Sequence, residues 1–211
     1  RLDSALRTTD SAKIELQAHY ERAVALFELC RLKDARRAFE DWLSHHAKDE
    51  TETTAWAHHH LGLVLELSGD AAAAERELET ARRLRPAHFF EPLPINAEEF
   101  RRIVDVEAKG LPAESQADLK LVRLETAEIP ELADLTLEEP PLSPTLLGLF
   151  RGLPLGEEPS EPRTIVLYRR NLLRIVRSRE ELIAEVRTTL LHELGHLRGA
   201  DEDDLRERGL E

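Results

Sequence analysis

The sequence of 211 residues contains no methionine and a single cysteine, Cys30. One cysteine excludes an internal disulfide bond and any zinc site built from cysteine pairs, and such usage is typical of proteins in a reducing compartment. No uninterrupted apolar run approaches the roughly 20 residues that a membrane-spanning helix needs, and the first residues lack the apolar core of a secretory signal peptide. We therefore expect a soluble, cytoplasmic protein.

Basic residues are also scarce in this chain. The 29 lysines and arginines stand against 42 aspartates and glutamates, which gives a net charge of −13 at pH 7. A surface this acidic repels both the phosphate backbone of nucleic acids and anionic lipid headgroups. We therefore expect neither nucleic acid nor a membrane as a partner. Hydrophobic residues make up 41% of the chain, which is enough for a packed core.

The N-terminal half has the pattern of a helical repeat. Between residues 11 and 84 there is no proline, and residues 30–39 align with residues 69–78 at an offset of 39. The second copy resembles a tetratricopeptide (TPR) repeat in its small, apolar and turn positions, which are Leu61, Gly62, Gly69, Ala74, Leu78, Ala81 and Pro86. We expect a TPR-like module over residues 1–90, which serves either as a groove for a protein partner or as a packing module.

Three consecutive histidines, His58, His59 and His60, lie within this repeat region. Consecutive residues of a helix point about 100° apart, so three adjacent imidazoles on one helix do not converge on one ion. We expect these histidines to have surface or packing roles.

Prolines recur after Pro86 and divide the C-terminal half into shorter elements. The pattern of apolar residues and caps predicts a helix over residues 97–109, strands over residues 119–124, 146–150 and 164–168, and a long helix over residues 178–197. This long helix is expected to open with a capping box, in which Ser178 and Glu181 satisfy each other's backbone N–H groups.

The last turns of this long helix contain an HExxH motif formed by His192, Glu193 and His196. Residues four positions apart lie on one face of a helix, so both imidazoles can occupy two corners of a tetrahedral zinc site. Zinc lowers the pKa of a bound water to about 7. Glu193 is then placed to act as the general base on that water and to pass the proton to the leaving amine.

Several stretches of the C-terminal half together resemble the minimal zincin-like metallopeptidases of bacteria. They are residues 165–173, residues 189–196, and residues 199–205 with Arg208-Gly209-Leu210. The resemblance implies a compact α+β domain over residues 91–211, with a small sheet beside the active-site helix. It also implies a site similar to the metzincin arrangement HExxHxxGxxH. With no methionine in the chain, the methionine turn beneath the metal of metzincins must be replaced by something else.

On the metzincin pattern, Gly199 takes the place of the glycine that lets the chain turn back under the metal. The third ligand position falls on Glu202, whose carboxylate is able to ligate zinc. Two alternatives stay open at this point. Asp201 is a neighbouring candidate ligand, and the acidic residues 201–204 would also suit the first turn of a following helix without any metal.

The sequence thus predicts an α+β protein, in which a TPR-like module precedes a small zincin-like domain. We expect a zinc-dependent metallopeptidase that cleaves peptide or protein substrates through a metal-activated water, with zinc bound weakly or turnover slow because the site is exposed. Residues 164–168 are expected to hold an extended substrate by edge pairing. Tyr168 is either a donor to the oxyanion or a core aromatic. The alternative functions are an inactive zincin-like adaptor that binds proteins through its repeats, and a non-proteolytic zinc hydrolase.

Overall fold

The computed structural model describes residues 2–137, 139–157 and 162–210, in which helices predominate around a small three-stranded sheet. The helices and strands within these residues are α1 (Leu2–Glu28), α2 (Leu32–His46), α3 (Glu52–Leu67), α4 (Ala71–Leu84), α5 (Ala97–Lys109), α6 (Ala113–Leu119), β1 (Arg123–Ala127), α7 (Leu132–Leu135), β2 (Gly148–Arg151), β3 (Thr164–Tyr168), α8 (Arg169–Ile175), α9 (Arg179–Leu197) and α10 (Glu202–Glu207). None of the helices described is long and apolar enough to span a membrane.

Contacts divide the chain into two compact units. Residues Arg1–Glu91 and Glu131–Pro144 form the first, which we call the helical unit. Residues Pro92–Pro130 and Thr145–Glu211 form the second, which we call the sheet unit. Each unit has its own hydrophobic core.

In the helical unit, α1 to α4 pack in sequence, each against the next. The turn between α1 and α2 and the turn between α3 and α4 have the same backbone conformation 39 residues apart. Cys30 (φ 54°) and Gly69 (φ 83°) are both left-handed. The hydrogen bonds of the two turns also correspond, and they are Cys30 N to Phe27 O, Arg31 N to Leu26 O, Gly69 N to Glu66 O and Asp70 N to Leu65 O, each 2.9 Å long.

Helices α3 and α4 approach each other closely, and the equivalent positions of the first hairpin are buried. A Cβ atom added at Gly62 would lie only 2.7 Å from Leu78 Cγ, so α3 and α4 pack at a distance that glycine permits. Ala23 and Phe39 stand 39 positions earlier, and both are fully buried in the same core. The internal repeat of the sequence therefore corresponds to two helical hairpins with equivalent turns, and the residues equivalent to Gly62 and Leu78 are also buried in the core.

The three consecutive histidines of α3 point in different directions. His58 Nδ1 lies 2.6 Å from Glu77 Oε2, and the ring of His59 stacks on Phe89 with 4.6 Å between ring centroids. The ring of His60 packs among aromatic rings of α1 and α2. The three imidazoles therefore do not converge on one point, as helix geometry predicts.

In the sheet unit, β3 is the central strand. It pairs in parallel with β1 and antiparallel with β2, and all five of its residues are buried. The expectation that residues 164–168 offer an edge to a substrate is therefore wrong, because β3 has a partner on each side. An uninterrupted apolar strand is typical of the interior of a sheet, whereas β2 is an edge strand.

The other two strands differ from their predicted positions. The strand expected over residues 119–124 is β1, which begins only at Arg123, because Leu119 still belongs to α6. The strand expected over residues 146–150 is β2, which is shifted two residues later at its start. Neither of these two segments has a regular alternation of apolar and polar residues. The apolar pattern therefore predicted approximately where the strands lie but not the residues at which they begin and end.

Helix α9 begins where its cap predicts. Ser178 Oγ accepts the backbone N–H of Glu181 at 3.1 Å. The expected reciprocal bond is shifted by one residue, because the Glu181 carboxylate accepts the N–H of Arg177 at 2.6 Å rather than that of Ser178. The apolar side of α9 packs into the core of the sheet unit through Leu182, Val186, Leu190, Leu194 and Leu197.

The segment between β1 and β2 belongs to the helical unit. Residues Glu131–Pro144 include α7, whose Leu135 is fully buried. The carbonyl of Leu142 accepts a hydrogen bond from the Cys30 thiol at 3.8 Å, and the N–H of Leu142 donates to Leu135 O at 2.9 Å. A segment that follows the first strand of the sheet unit thus completes the packing of the helical unit.

Leu135→Ala should therefore destabilise the helical unit. Removal of a fully buried leucine side chain lowers the free energy of unfolding by about 2–4 kcal/mol. Amide hydrogen exchange measures this locally, and protection should fall in the helical unit but not in β3. Leu132→Ala in the same helix is the matched control, since Leu132 is 42% exposed and its loss should cost less than about 1 kcal/mol. Equal effects of the two variants would contradict the assignment of this segment.

Candidate metal centre

Three side chains converge at the end of α9. His192 Nε2 and His196 Nε2 lie 3.0 Å apart. Glu202 Oε1, from the first turn of α10, lies 3.3 Å from His196 Nε2 and 3.8 Å from His192 Nε2. In the part of the chain that the structure describes, this is the group of histidine and carboxylate side chains able to hold a metal ion.

The remaining ring nitrogens of both histidines contact backbone carbonyls. His192 Nδ1 lies 2.6 Å from Leu210 O, and His196 Nδ1 lies 3.1 Å from Ala200 O. A carbonyl oxygen only accepts hydrogen bonds, so each Nδ1 carries a proton, and in the neutral form of each imidazole Nε2 is then an acceptor. Two acceptor nitrogens 3.0 Å apart repel each other, and a cation bound by both removes that repulsion.

The spacing of these donors fits zinc. Zn–N and Zn–O bonds of about 2.0–2.2 Å in a tetrahedral site place two ligand atoms about 3.3–3.5 Å apart, and the three separations here are 3.0, 3.3 and 3.8 Å. The side chains of His192, His196 and Glu202 are 21%, 27% and 69% exposed. Three protein ligands with a solvent-accessible fourth position are typical of catalytic zinc sites rather than structural ones.

The turn between α9 and α10 decides which acidic residue faces the histidines. Gly199 has a φ of 82°, and the chain then enters α10. Asp201 caps α10, because its Oδ1 accepts the N–H of Asp204 at 2.9 Å, and the Asp204 carboxylate accepts the N–H of Asp201 at 3.3 Å. The carboxylate of Asp201 is thus used by the helix, while that of the next residue, Glu202, lies beside the imidazoles.

The glycine inside the HExxH motif makes room for α10. A Cβ atom added at Gly195 would overlap Leu205 Cδ2, and Leu205 is fully buried. Leu205 therefore packs against the bare backbone of α9 one residue before His196. This contact holds α10 close enough for Glu202 to reach the two histidines.

Glu193 lies next to these residues and is nearly buried, with 5% of its surface exposed. Burial raises the pKa of its carboxyl from 4.5 to about 8. The backbone N–H of Phe150 donates to this carboxyl and lowers its pKa in part, whereas the nearby charge of Glu202 raises it further. The fold thus favours a proton on Glu193 when no metal is present.

Strand β2 presents its unpaired edge at Glu193. The N–H of Tyr168 donates to Leu147 O at 2.9 Å, so in the antiparallel ladder the polar groups of Gly148 and Phe150 point away from β3. A Cβ atom added at Gly148 would lie 2.9 Å from Glu193 Oε1 and 2.7 Å from Thr189 Cγ2. Glycine at this position lets the strand edge approach the carboxyl of Glu193.

Tyr168 ends β3 with its side chain fully buried, which agrees with the core alternative and not with a donor to substrate. Sequence reasoning missed the backbone groups of the site, which are the carbonyls of Ala200 and Leu210 and the N–H of Phe150. Backbone groups give no signal in residue type. The one available signal was Gly148, since a glycine inside a strand indicates a close backbone approach.

Comparison with known proteins agrees with this geometry. Residues 119–210 match the zincin-like metallopeptidase family. The matched region contains the whole sheet together with α8, α9 and α10, and hence all of the residues of the candidate metal centre. None of the curated proteins matches the sequence significantly. Residues 119–210, somewhat less than half of the chain, are therefore similar to zincin-like metallopeptidase domains.

The raised pKa of Glu193 predicts a pH-dependent stability of the metal-free protein. The folded state holds a proton on Glu193 that the unfolded state loses near pH 4.5, so the stabilisation by that proton is complete below about pH 4.5 and is lost as the pH rises toward 8. Glu193→Gln keeps the shape without the titration. In the presence of a chelator, wild type should lose about 2–4 kcal/mol relative to this variant between pH 5 and pH 8.5.

Denaturant unfolding at the two pH values measures this difference. Asp203→Asn, in which an exposed carboxylate of α10 is replaced (88% of its side chain is exposed), is the control and should retain the wild-type pH dependence, whereas Glu202→Gln is unsuitable because the charge of Glu202 raises the pKa of Glu193. Parallel pH profiles of wild type and Glu193→Gln would show that Glu193 is not protonated in the fold.

Proposed function

We propose that this protein is a zinc-dependent peptidase whose active site lies between α9, α10 and the edge of β2. The observation that carries the proposal is the convergence of His192, His196 and Glu202 within 3.8 Å, next to a carboxyl that is buried at an open strand edge. This combination offers metal ligands, a proton acceptor and a surface for an extended peptide in one place. The family match of residues 119–210 supports the same reaction class.

The two imidazoles and the Glu202 carboxylate would hold zinc, which when bound acidifies a water molecule and polarises the substrate carbonyl. The carbonyls of Leu210 and Ala200 keep the imidazoles in the tautomer whose Nε2 faces the metal. Asp201, which caps α10, is not assigned as a ligand.

Glu193 would handle the proton. Its carboxylate takes a proton from water during attack on the peptide carbonyl and delivers it to the leaving amine. The N–H of Phe150 fixes the orientation of this carboxylate. Burial raises the pKa of this group, so its carboxylate form is a stronger base than that of an exposed glutamate.

The substrate would lie along β2 rather than along β3. The backbone groups of Gly148 point away from β3 and are placed for hydrogen bonds to an extended peptide that adds a strand to the sheet. Because Gly148 has no side chain, β2 itself approaches Thr189 and Glu193 closely, so a peptide paired with this strand would lie beside Glu193. Main-chain pairing of this kind binds peptides of many sequences, whereas side-chain pockets select among them.

We further propose that the repeat over residues 1–90 is a TPR-like module with a function separate from that of the sheet unit. The support for this proposal is the pair of equivalent helical hairpins with left-handed turns at Cys30 and Gly69. In this role the module would recruit a protein partner or a protein substrate.

The metal ligands are tested by zinc stoichiometry of the full chain. Wild type should bind one zinc ion, and His192→Ala and Glu202→Ala should each lower the affinity about 100-fold or more, since loss of an inner ligand costs at least as much as loss of an outer partner. Asp201→Asn is the matched control, because asparagine also caps helices well. Zinc lost from Asp201→Asn but retained by Glu202→Ala would exchange the roles of these two residues.

The reaction is tested by Glu193→Gln in the zinc-loaded protein. The variant should keep its zinc and lose peptide hydrolysis by about 10²–10⁴-fold, the range that general acid–base catalysis contributes. Digestion of a peptide library, read by mass spectrometry with and without a chelator, measures the loss. Hydrolysis at the wild-type rate would rule out Glu193 as the base, and zinc-loaded wild type without any cleavage would favour the adaptor function.

A further inference from the structure

The turn after α10 contacts the metal centre through its backbone. The carbonyl of Leu210 accepts a hydrogen bond from His192 Nδ1 at 2.6 Å, which is shorter than the corresponding 3.1 Å bond between His196 Nδ1 and Ala200 O. Leu210 lies 18 residues from His192, so this contact exists only when α10 is docked. It concerns the nitrogen that does not face Glu202 and therefore acts on His192 from the opposite side of the ring.

A set of backbone bonds fixes the position of this carbonyl. The N–H groups of Arg208 and Leu210 both donate to Leu205 O, at 3.1 and 3.0 Å, and the N–H of Gly209 donates to Arg206 O at 3.0 Å. This pattern ends a helix through one left-handed residue, and Gly209 is that residue, with a φ of 71°. The direction of the Leu210 carbonyl thus depends on the backbone conformation of Gly209.

The same short helix is anchored to α9 at the metal centre. Leu205, whose carbonyl accepts two of these bonds, has its side chain buried against Gly195. One end of α10 presents the carboxylate of Glu202 to the imidazoles, and the other end presents the carbonyl of Leu210 to the far side of His192. The positions of the Glu202 carboxylate and of the Leu210 carbonyl therefore both depend on the packing of Leu205 against Gly195.

We propose that Gly209 and Leu210 form a positioning element for His192, in which the left-handed turn at Gly209 holds the Leu210 carbonyl against Nδ1 and so directs Nε2 to the metal. This inference rests on the proposed metal site. Outer-shell partners of this kind change metal affinity 10- to 100-fold in other proteins, because they fix the tautomer and the orientation of the imidazole.

Gly209 is well suited to substitution, because among the described residues, apart from its neighbours in the chain, no atom lies within 4 Å of the position that a Cβ atom would occupy. A side chain there meets no steric obstacle, and only the positive φ resists it. Valine is strongly disfavoured at positive φ, whereas asparagine tolerates it. Gly209→Val should therefore displace the Leu210 carbonyl, and Gly209→Asn should retain it.

The chain also contains a matched control. Gly69 has a φ of 83° with nothing within 4 Å of its Cβ position, and it lies in the helical unit. Gly69→Val introduces the same backbone strain in the other unit. If backbone strain of this kind lowered zinc affinity in a general way, both valine variants would lose affinity. An effect on His192 would lower zinc affinity in Gly209→Val alone.

Zinc affinity of the full chain, measured by competition with a coloured chelator, is the first readout. Gly209→Val should bind zinc about 10- to 100-fold more weakly than wild type, while Gly209→Asn and Gly69→Val should bind it like wild type. Wild-type affinity in Gly209→Val would overturn the inference and leave the metal site intact. An equal loss in both valine variants would overturn it too. Wild type that binds no zinc would refute the proposed function itself.

The imidazole tautomers provide a second readout that needs no metal. Nitrogen NMR of the metal-free protein at pH 8 should show His192 protonated at Nδ1 in wild type, and this state should be lost in Gly209→Val. His196 is the internal reference, because its partner is Ala200 and its tautomer should not change. A His192 tautomer that is the same in wild type and in Gly209→Val would overturn the inference.

Discussion

The packing of Leu205 against the bare backbone at Gly195 is the contact on which the metal centre depends. Helix α10 has six residues and is too short to be stable by itself. Its buried leucine fixes where it lies on α9, and its cap at Asp201 fixes how it begins. The glycine of the HExxH motif is thus a packing requirement as well as a feature of the motif. A larger residue there would separate Glu202 from the histidines without touching any ligand.

Helix starts and strand positions that depend on residues close in sequence could be predicted from the sequence. The starts of α5 and α9 follow from Asn96 and Ser178, because each cap satisfies a backbone N–H three residues later. The apolar run of β3 was located correctly, but its place in the centre of the sheet was not, since strand order depends on distant partners. The short helices α6 and α8 were missed, because fewer than two full turns leave no readable periodicity.

In the candidate site, too, some features follow from residues close in sequence and others depend on tertiary packing. The proximity of His192 and His196 follows from helix geometry alone, since residues four apart share a face. The placement of Glu202 beside them depends on the left-handed Gly199 and on the docking of α10. The sequence alone therefore left Asp201 as an alternative third metal ligand. The contacts of Phe150 and Leu210 lay beyond sequence reasoning, because every residue carries the same N–H and carbonyl. Their function is acquired through tertiary packing.

The placement of residues Glu131–Pro144 in the helical unit has a consequence for synthesis on the ribosome. The chain passes between the two units three times, and the helical unit is complete only after Pro144 has emerged. By then β1 has already been made, yet its parallel partner β3 begins only at Thr164. Domains usually fold one after another as they emerge. Here the first unit receives its last segment after the second has begun, so their folding overlaps in time.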